Sequence, residues 1–400
     1  MNLQQKASHQ FRSVVVIFSN GTLLDQIKKG ELEILQGRLR LLADLFDRIH
    51  IICHGSPVAL ASPDLLTGDR ISIHQAPYAG QGAFNKIFFL IYAFLSLVRL
   101  QRQERGPLIR VYGIPGMMPV IPLSYVFPSA RTVLSYHYHW SIQRFSRYKT
   151  MLPLAQKLEG MAFKKARLVI ALTEELKTAV LRAGVPESRI RLIPNWVDTD
   201  QFRPGQKGRD VEATYGFHRP FLLYVGRLHT IKNLEMCLRA FARLRNRLDA
   251  LSLVLVGDGD QKASLMALAS RLEIADRVFF TGSLPHKDLP PLYDAAEAFV
   301  ITSRMEGQPK AVLEAMASGK PIIASDVPGL RELVRNGGNG MLVRYDDIDS
   351  LVEAIAVILR DADLRRRLGV ASRRMAVEEF SKEVVFAQEK AVYFELASGR

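Results

Sequence analysis

The chain has 400 residues, 48% of them hydrophobic, which is too long for one ordinary core and suits two domains of middling size. Its two cysteines, Cys53 and Cys237, give neither a disulfide framework nor a metal cluster and point to a reducing compartment, and MNLQQKASHQFRSVVVIFSN at the start lacks the apolar core and cleavage site of a signal peptide. The net charge of +14 is lopsided: residues 1–195 hold 25 Lys and Arg against 12 Asp and Glu, and residues 196–400 hold 29 against 28. An anionic membrane or a nucleic acid is thus the partner expected for the first half, unless the basicity is merely general.

In chain order, short β-branched runs alternate with helical stretches. The first half offers VVVIFS (14–19), IHIICHG (49–55), ISIHQAP (71–77), LIRVYG (108–113), RTVLSYH (131–137), LVIALT (168–173) and IRLIPN (190–195). The second offers FLLYVG (221–226), LSLVLVG (251–257), VFFTG (278–282), AFVIT (298–302), PIIASD (321–326) and GMLVRY (340–345). Apolar strands separated by helices predict parallel sheets covered on both faces, and two such series predict two doubly wound α/β domains. Residues 198–220 are polar, contain Pro and Gly, and read as a linker. The expected organisation is therefore a domain over 1–197, a second over 198–370, and an amphipathic terminal helix over 371–400 that crosses back toward the first domain. Ligands of open parallel sheets bind beyond the carboxyl ends of the strands, so two facing sheets would form a cleft.

FNKIFFLIYAFLSLVRLQRQER (84–105) is the most apolar stretch. Its uninterrupted part, Ile87 to Val98, is about a dozen residues, short of the ~20 a spanning helix needs. Lys86, Arg99, Arg102 and Arg105 flank it, so it reads equally as a helix lying in a membrane interface or as a buried helix of the first domain.

Two stretches of the second half carry chemistry. In LLYVGRLHTIKNLEMCLRAF (222–241) a strand ends at Gly226 and a helix begins near Asn233. The helix N-terminus, with Arg227 and Lys232 beside it, is how a phosphate or diphosphate site is built, although solvated surface cations are the commoner outcome. In SRMEGQPKAVLEAMASGKPIIASDVPG (303–329) Glu306 falls in the loop at a strand's carboxyl end and Glu314 two turns into a helix begun at Pro309. An ionised carboxylate among Val312, Leu313, Ala315, Met316 and Ala317 needs a ligand hydroxyl or an internal cation.

With these residues in view, the chain resembles the retaining glycosyltransferases of family 4, which have the GT-B fold of two facing Rossmann-like domains. The resemblance rests on the paired glutamates of EGQPKAVLE and on the phosphate loop VGRLHTIKN. IPNWVDTDQFRP, VGDG (256–259), VFFTG and SDVPGLRELV (325–334) support it, and it covers residues 168 to 350 best. It implies that Arg227 and Lys232 hold the diphosphate of a nucleotide-sugar, that Glu314 takes the ribose hydroxyls, and that Glu306 takes those of the donor sugar. The backbone from Gly282 to Leu284 would edge the base. Gly21, in SNGTLLD (19–25), stands where the family has its glycine loop, with one glycine only. His137 of SYHYHW (135–140) matches the family's histidine near the donor sugar, with His139 as rival. Where the family often has Phe-Gly after the first Glu-Gly, this chain has Gln308-Pro309-Lys310, so one backbone N–H is lost and Lys310 is expected to supply charge in its place.

The implied reaction keeps anomeric configuration, and the leaving phosphate accepts the acceptor's proton. His137, Arg227, Lys232 and Glu306 would be its catalytic groups, with no metal and no cofactor besides the UDP- or GDP-linked donor. The Asp-x-Asp triplets Asp198–Asp200, Asp258–Asp260 and Asp361–Asp363 are set aside as metal sites by their positions. A lipid-linked or polysaccharide acceptor, of lipopolysaccharide or exopolysaccharide type, is expected at the inner face of the plasma membrane. The first half lacks the aromatic-interleaved basic patches of single-strand binders, so no nucleic acid is expected. The alternatives are a GT-B nucleotide-sugar epimerase and a non-catalytic membrane-associated protein on the same scaffold.

Overall fold

The computed structural model describes residues 12–18, 32–54, 70–76, 83–145, 150–205, 211–245 and 250–397. The chain divides into two compact units, Met1–Ile193 with Phe386–Arg400, and Pro194–Val385. The first holds β1 (Ser13–Phe18), β2 (Arg48–His54), β3 (Ile71–Ala76), β4 (Leu108–Tyr112), β5 (Thr132–Tyr136), β6 (Leu168–Ala171) and β7 (Ile190–Leu192). They form one parallel sheet in the order β3-β2-β1-β4-β5-β6-β7. The second holds β8 (Phe221–Val225), β9 (Ser252–Val256), β10 (Val278–Gly282), β11 (Ala298–Ile301), β12 (Ile322–Ser325) and β13 (Gly340–Val343). Its order is β10-β9-β8-β11-β12-β13, again all parallel. Each of the thirteen apolar runs read from the sequence coincides with one strand to within a few residues.

The strands are apolar along their length because both faces are covered. In β8, Leu222 and Tyr224 pack into one buried cluster, while Phe221 and Leu223 pack into another on the opposite face. Strand order reverses between β1 and β4 in one sheet and between β8 and β11 in the other. Such switch points leave a crevice at the carboxyl ends of the two central strands, where ligands of this architecture bind.

The described parts of the stretch 198–220, residues 198–205 and 211–220, are not the linker its polarity suggests. Phe202, Val211 and Phe217 are buried in the second unit's core. Arg373 Nη1 pins the stretch by donating to the carbonyls of Thr199 and Phe202, both at 2.9 Å, and of Ala317, at 2.8 Å. Its polar residues serve turns: Asp198 accepts from the N–H groups of Asp200 and Gln201 and pairs with Lys382 at 3.1 Å. The other aspartate triplets are similarly engaged. Asp258 accepts from the Gly259 N–H, Asp361 caps the helix Ala362–Phe380, and Asp363 pairs with Arg366.

The C-terminal stretch expected as one helix from 371 is the end of the helix Ala362–Phe380 followed by the helix Lys382–Ala397. The break has a cause: Val197 lies between them, its N–H donating to the Phe380 carbonyl and its carbonyl accepting from the Lys382 N–H. Residues 386–400 belong to the first unit. There Glu389 accepts from buried Arg110 of β4, at 2.8 Å from Nη2, and from the Tyr393 hydroxyl at 2.8 Å. Burial alone would raise the Glu389 carboxyl; Arg110, Arg38 and Tyr393 overcome that and hold it below the ordinary carboxylate range.

The helix Ala83–Gln103 has one face in the core and another, apolar one exposed. Ala93, Leu97 and Leu100 are buried in the first unit's core, while Ile87, Ile91 and Leu95, at 59%, 53% and 59% exposure, line up four residues apart on another face. No helix among the described residues is long and apolar enough to cross a membrane.

Candidate functional site

The loop after β8 lies at the second sheet's switch point. Leu228 anchors it by a fully buried side chain, by its N–H to the Asp258 carbonyl at 2.9 Å, and by its carbonyl to the Gln261 N–H at 3.0 Å. The approach to the loop after β9 is so close that a Cβ on Gly257 would stand 1.9 Å from the Gly226 carbonyl oxygen. Only glycine fits there, the more so because its φ is +135°. Tyr224 donates to the Arg227 carbonyl at 3.0 Å; burial and then the Glu306 charge push its phenol up, so it remains a donor. One tight turn, Thr230–Lys232, leads through Asn233, at φ 52°, into the helix Leu234–Leu244.

The loop after β11 is sewn to this one. Thr302 Oγ1 donates to the carbonyls of Lys232 and Asn233, at 3.1 and 3.0 Å, and the Arg304 N–H donates to the Ile231 carbonyl at 2.9 Å. The result brings Lys232 Nζ to 2.6 Å from Glu306 Oε1, with Ser303 Oγ donating to the same oxygen at 2.5 Å. Glu306 Oε2 accepts no hydrogen bond among the described residues, and Arg227, exposed on the same loop as Lys232, has no ion-pair partner among them. The site therefore presents a fixed cation–carboxylate pair, a guanidinium and a free carboxylate oxygen at the carboxyl ends of the two central strands. Such a set can hold an anion and accept from a hydroxyl.

Glu314 lies in the helix Lys310–Ala317, 7% exposed, its neighbours Val312, Leu313, Ala315 and Met316 wholly buried. Its partners come from the connection between β10 and β11. His286 Nε2 is 3.0 Å from Oε1, and the Tyr293 hydroxyl donates to Oε2 at 2.8 Å. An ionised carboxylate only accepts, so His286 must carry hydrogen on Nε2. Burial, then the Glu314 charge, push the Tyr293 phenol well above its ordinary value and keep it a donor.

The remaining expected residues are placed as follows. Gly282 takes φ +74° and its carbonyl accepts from the Gly257 N–H at 2.8 Å; Leu284, two residues on, packs against the second unit's core. Lys310 is drawn to Trp196, its ammonium 4.2 Å from the indole centre and 3.5 Å from the Trp196 carbonyl oxygen. Gln308 holds the same segment: Asn195 donates through its N–H to Gln308 Oε1 and through Nδ2 to the Gln308 carbonyl, at 2.9 Å. The departure from Phe-Gly thus clamps residues 195–196. His137 belongs to the first unit, following β5, edge-on to Tyr112 at 6.1 Å between ring centres. His139, its rival, is bonded to the Tyr136 hydroxyl at 3.0 Å and faces Glu175 at 3.4 Å. Gly21 lies outside the described residues.

Ser303, His286 and Tyr293 were not anticipated. Ser303 sits three residues before Glu306 and was open to inspection. His286 and Tyr293 are 28 and 21 residues from Glu314, on other elements, and only the demand of a buried carboxylate for donors pointed to them.

The fold and this site define a GT-B glycosyltransferase scaffold, and the chain belongs to the family 4 glycosyltransferases. The model "Glycosyltransferase Family 4" matches residues 39–201, and "Glycosyl transferases group 1" matches residues 216–375. Among particular proteins, the chain is 30% identical to the GDP-mannose-dependent alpha-(1-6)-phosphatidylinositol monomannoside mannosyltransferase of Mycolicibacterium smegmatis, over 70% of this chain and 73% of that protein. It is 28% identical to the alpha-D-kanosaminyltransferase of Streptomyces kanamyceticus over 61% of this chain, and the match spans 64% of that relative's length. Among solved structures, Anabaena HepE in complex with UDP superposes with a TM-score of 0.77 at 21% identity, covering 96% of this chain and all of that one.

Proposed function

We propose that the second unit binds a nucleotide-sugar and that the protein transfers its sugar, with retention of configuration, to a lipid-linked or saccharide acceptor at a membrane face. The observation that carries this reading is the Lys232–Glu306–Ser303 cluster, with Arg227 on the same loop as Lys232, at the β8/β11 switch point. Arg227 and Lys232 would hold the diphosphate, Glu306 the donor sugar and Glu314 the ribose. As the bond to the anomeric carbon breaks, negative charge grows on the leaving phosphate, which the two cations meet without reorganisation. Removing one such group costs on the order of 10²–10³ in rate. His137 would stand by the donor sugar. No metal takes part in this scheme, so turnover is expected to survive chelation by EDTA.

Support for the donor comes from relatives: one is named GDP-mannose-dependent, and one structural neighbour was solved with UDP. Support for the membrane comes from the exposed stripe Ile87, Ile91 and Leu95 with Lys86, Arg99 and Arg102 on the same helix, in the half of the chain with the +13 surplus.

A thermal-shift panel of UDP, GDP, ADP and their sugar conjugates tests the donor reading, because a bound ligand raises the melting point by mass action. At least one nucleotide is expected to stabilise the wild type and to lose most of that effect in Arg227→Ala and Lys232→Ala. A flat panel would remove the basis of the proposal.

A further inference from the structure

The structure assigns His286 and Tyr293 as positioning residues that aim the Glu314 carboxylate at a vicinal diol and thereby set a preference for ribonucleotides over 2′-deoxyribonucleotides. This rests on the reading of the second unit as a nucleotide-sugar site. A carboxylate has about four acceptor positions, two on each oxygen. His286 Nε2 takes one on Oε1 and the Tyr293 hydroxyl takes one on Oε2. One position per oxygen is left, which is the pattern a 2′,3′-diol fills when it donates two hydrogen bonds side by side.

The donors are themselves held. Phe202, fully buried, meets the His286 ring at 5.1 Å and 62°, and the Tyr293 ring at 5.6 Å and 81°. One phenyl group thus packs edge-on against both donor rings, and Tyr293 is further packed on Phe299 at 5.8 Å. With the histidine removed, Oε1 loses its internal partner, and the carboxylate is left free to rotate about its last bond. It would still accept from a ligand, but the two-point match to a diol would go. Phe202 comes from the polar stretch 198–220, and His286 follows the Gly282–Leu284 backbone, so two separate motifs converge on this one carboxylate.

The test is calorimetric titration of the intact protein with UDP and 2′-deoxy-UDP, and with GDP and 2′-deoxy-GDP. The variants are His286→Ala, His286→Gln and Tyr293→Phe. Wild type is expected to favour the ribonucleotide roughly ten- to a hundred-fold, as befits one hydrogen bond to a charged acceptor. His286→Ala and Tyr293→Phe should bring the ratio toward one by weakening the ribonucleotide alone. His286→Gln, whose amide nitrogen can reach the place of Nε2, should restore most of it. A ratio is insensitive to the fraction of protein folded, so general destabilisation does not imitate this result. If His286→Ala weakens both sugars equally, or neither, the positioning role is overturned while nucleotide binding stands. If the wild type binds no nucleoside diphosphate, the donor reading falls and takes this inference with it.

Discussion

Gly257 shows how closely single residues set the site. A methyl group there would stand 1.9 Å from the Gly226 carbonyl oxygen, in a backbone conformation L side chains avoid. Gly257→Ala must push the loop after β8 away from the loop after β9, and Arg227 with it. Overpacking and backbone strain together cost about 2–4 kcal/mol. We expect a lower melting point and loss of nucleotide stabilisation, where Gly205→Ala, with no atom near its added methyl, should cost only its own backbone strain. At this scale the sequence was legible wherever a charge follows a buried strand, as at Arg227, Lys232 and Glu306. It was illegible where a contact joins distant segments. Lys310 was readable as a cation, but Trp196, 114 residues away, decides where its charge goes.

Among the elements, the helix Ala83–Gln103 separates packing from exposure along one run of apolar residues. Ala93 and Leu97 are wholly buried, whereas Ile87, Ile91 and Leu95 face solvent. Exchanging Ile87 and Ile91 for Asp should therefore change stability by no more than about 0.5 kcal/mol each, as at other exposed positions. Ala93→Asp should unfold the unit by burying an unpaired charge. If the exposed stripe meets lipid, the Ile87→Asp, Ile91→Asp double variant will fail to sediment with phosphatidylglycerol vesicles while melting normally, as will Arg99→Glu with Arg102→Glu. Sedimentation equal to wild type would sink the membrane reading and leave the donor site untouched. The sequence could not decide between a core helix and an exposed apolar one because the segment has a buried face and an exposed face, divided by helical phase. The stretch 198–220 misled for a related reason: Phe202, Val211 and Phe217 do the packing, and turn-forming neighbours hide them.

For the molecule as a whole, the thirteen strands among the described residues and their division into two parallel sheets could be read from apolar runs because both faces of each sheet are covered. The exact division could not, since residues 386–400 join a unit whose other members end at Ile193. The first unit also carries a pH dependence. Burial lowers His50 and His74, which share a hydrogen bond at 3.1 Å; in His50 the pull of Glu104 only partly offsets it. Lowered folded values mean the unfolded chain binds more protons, so their contribution is present above the ordinary value of about 6.5 and lost as pH falls below it. Melting of the first unit should drop between pH 7 and pH 5, and His50→Gln with His74→Gln should flatten that slope. A slope unchanged in the double variant would assign it to other groups. Arg110→Ala should cost about 3–5 kcal/mol by leaving the buried Glu389 carboxylate without its ion-pair partner. Arg110 and Glu389 are also 279 positions apart. A ribosome adding about 5–20 residues per second therefore needs roughly a quarter of a minute to a minute to supply the carboxylate after laying down the guanidinium. The second unit is fully synthesised in that interval, so the portion that leaves the ribosome first is the last to lock, and until then a nascent chain carries an unneutralised charge where its central sheet must close.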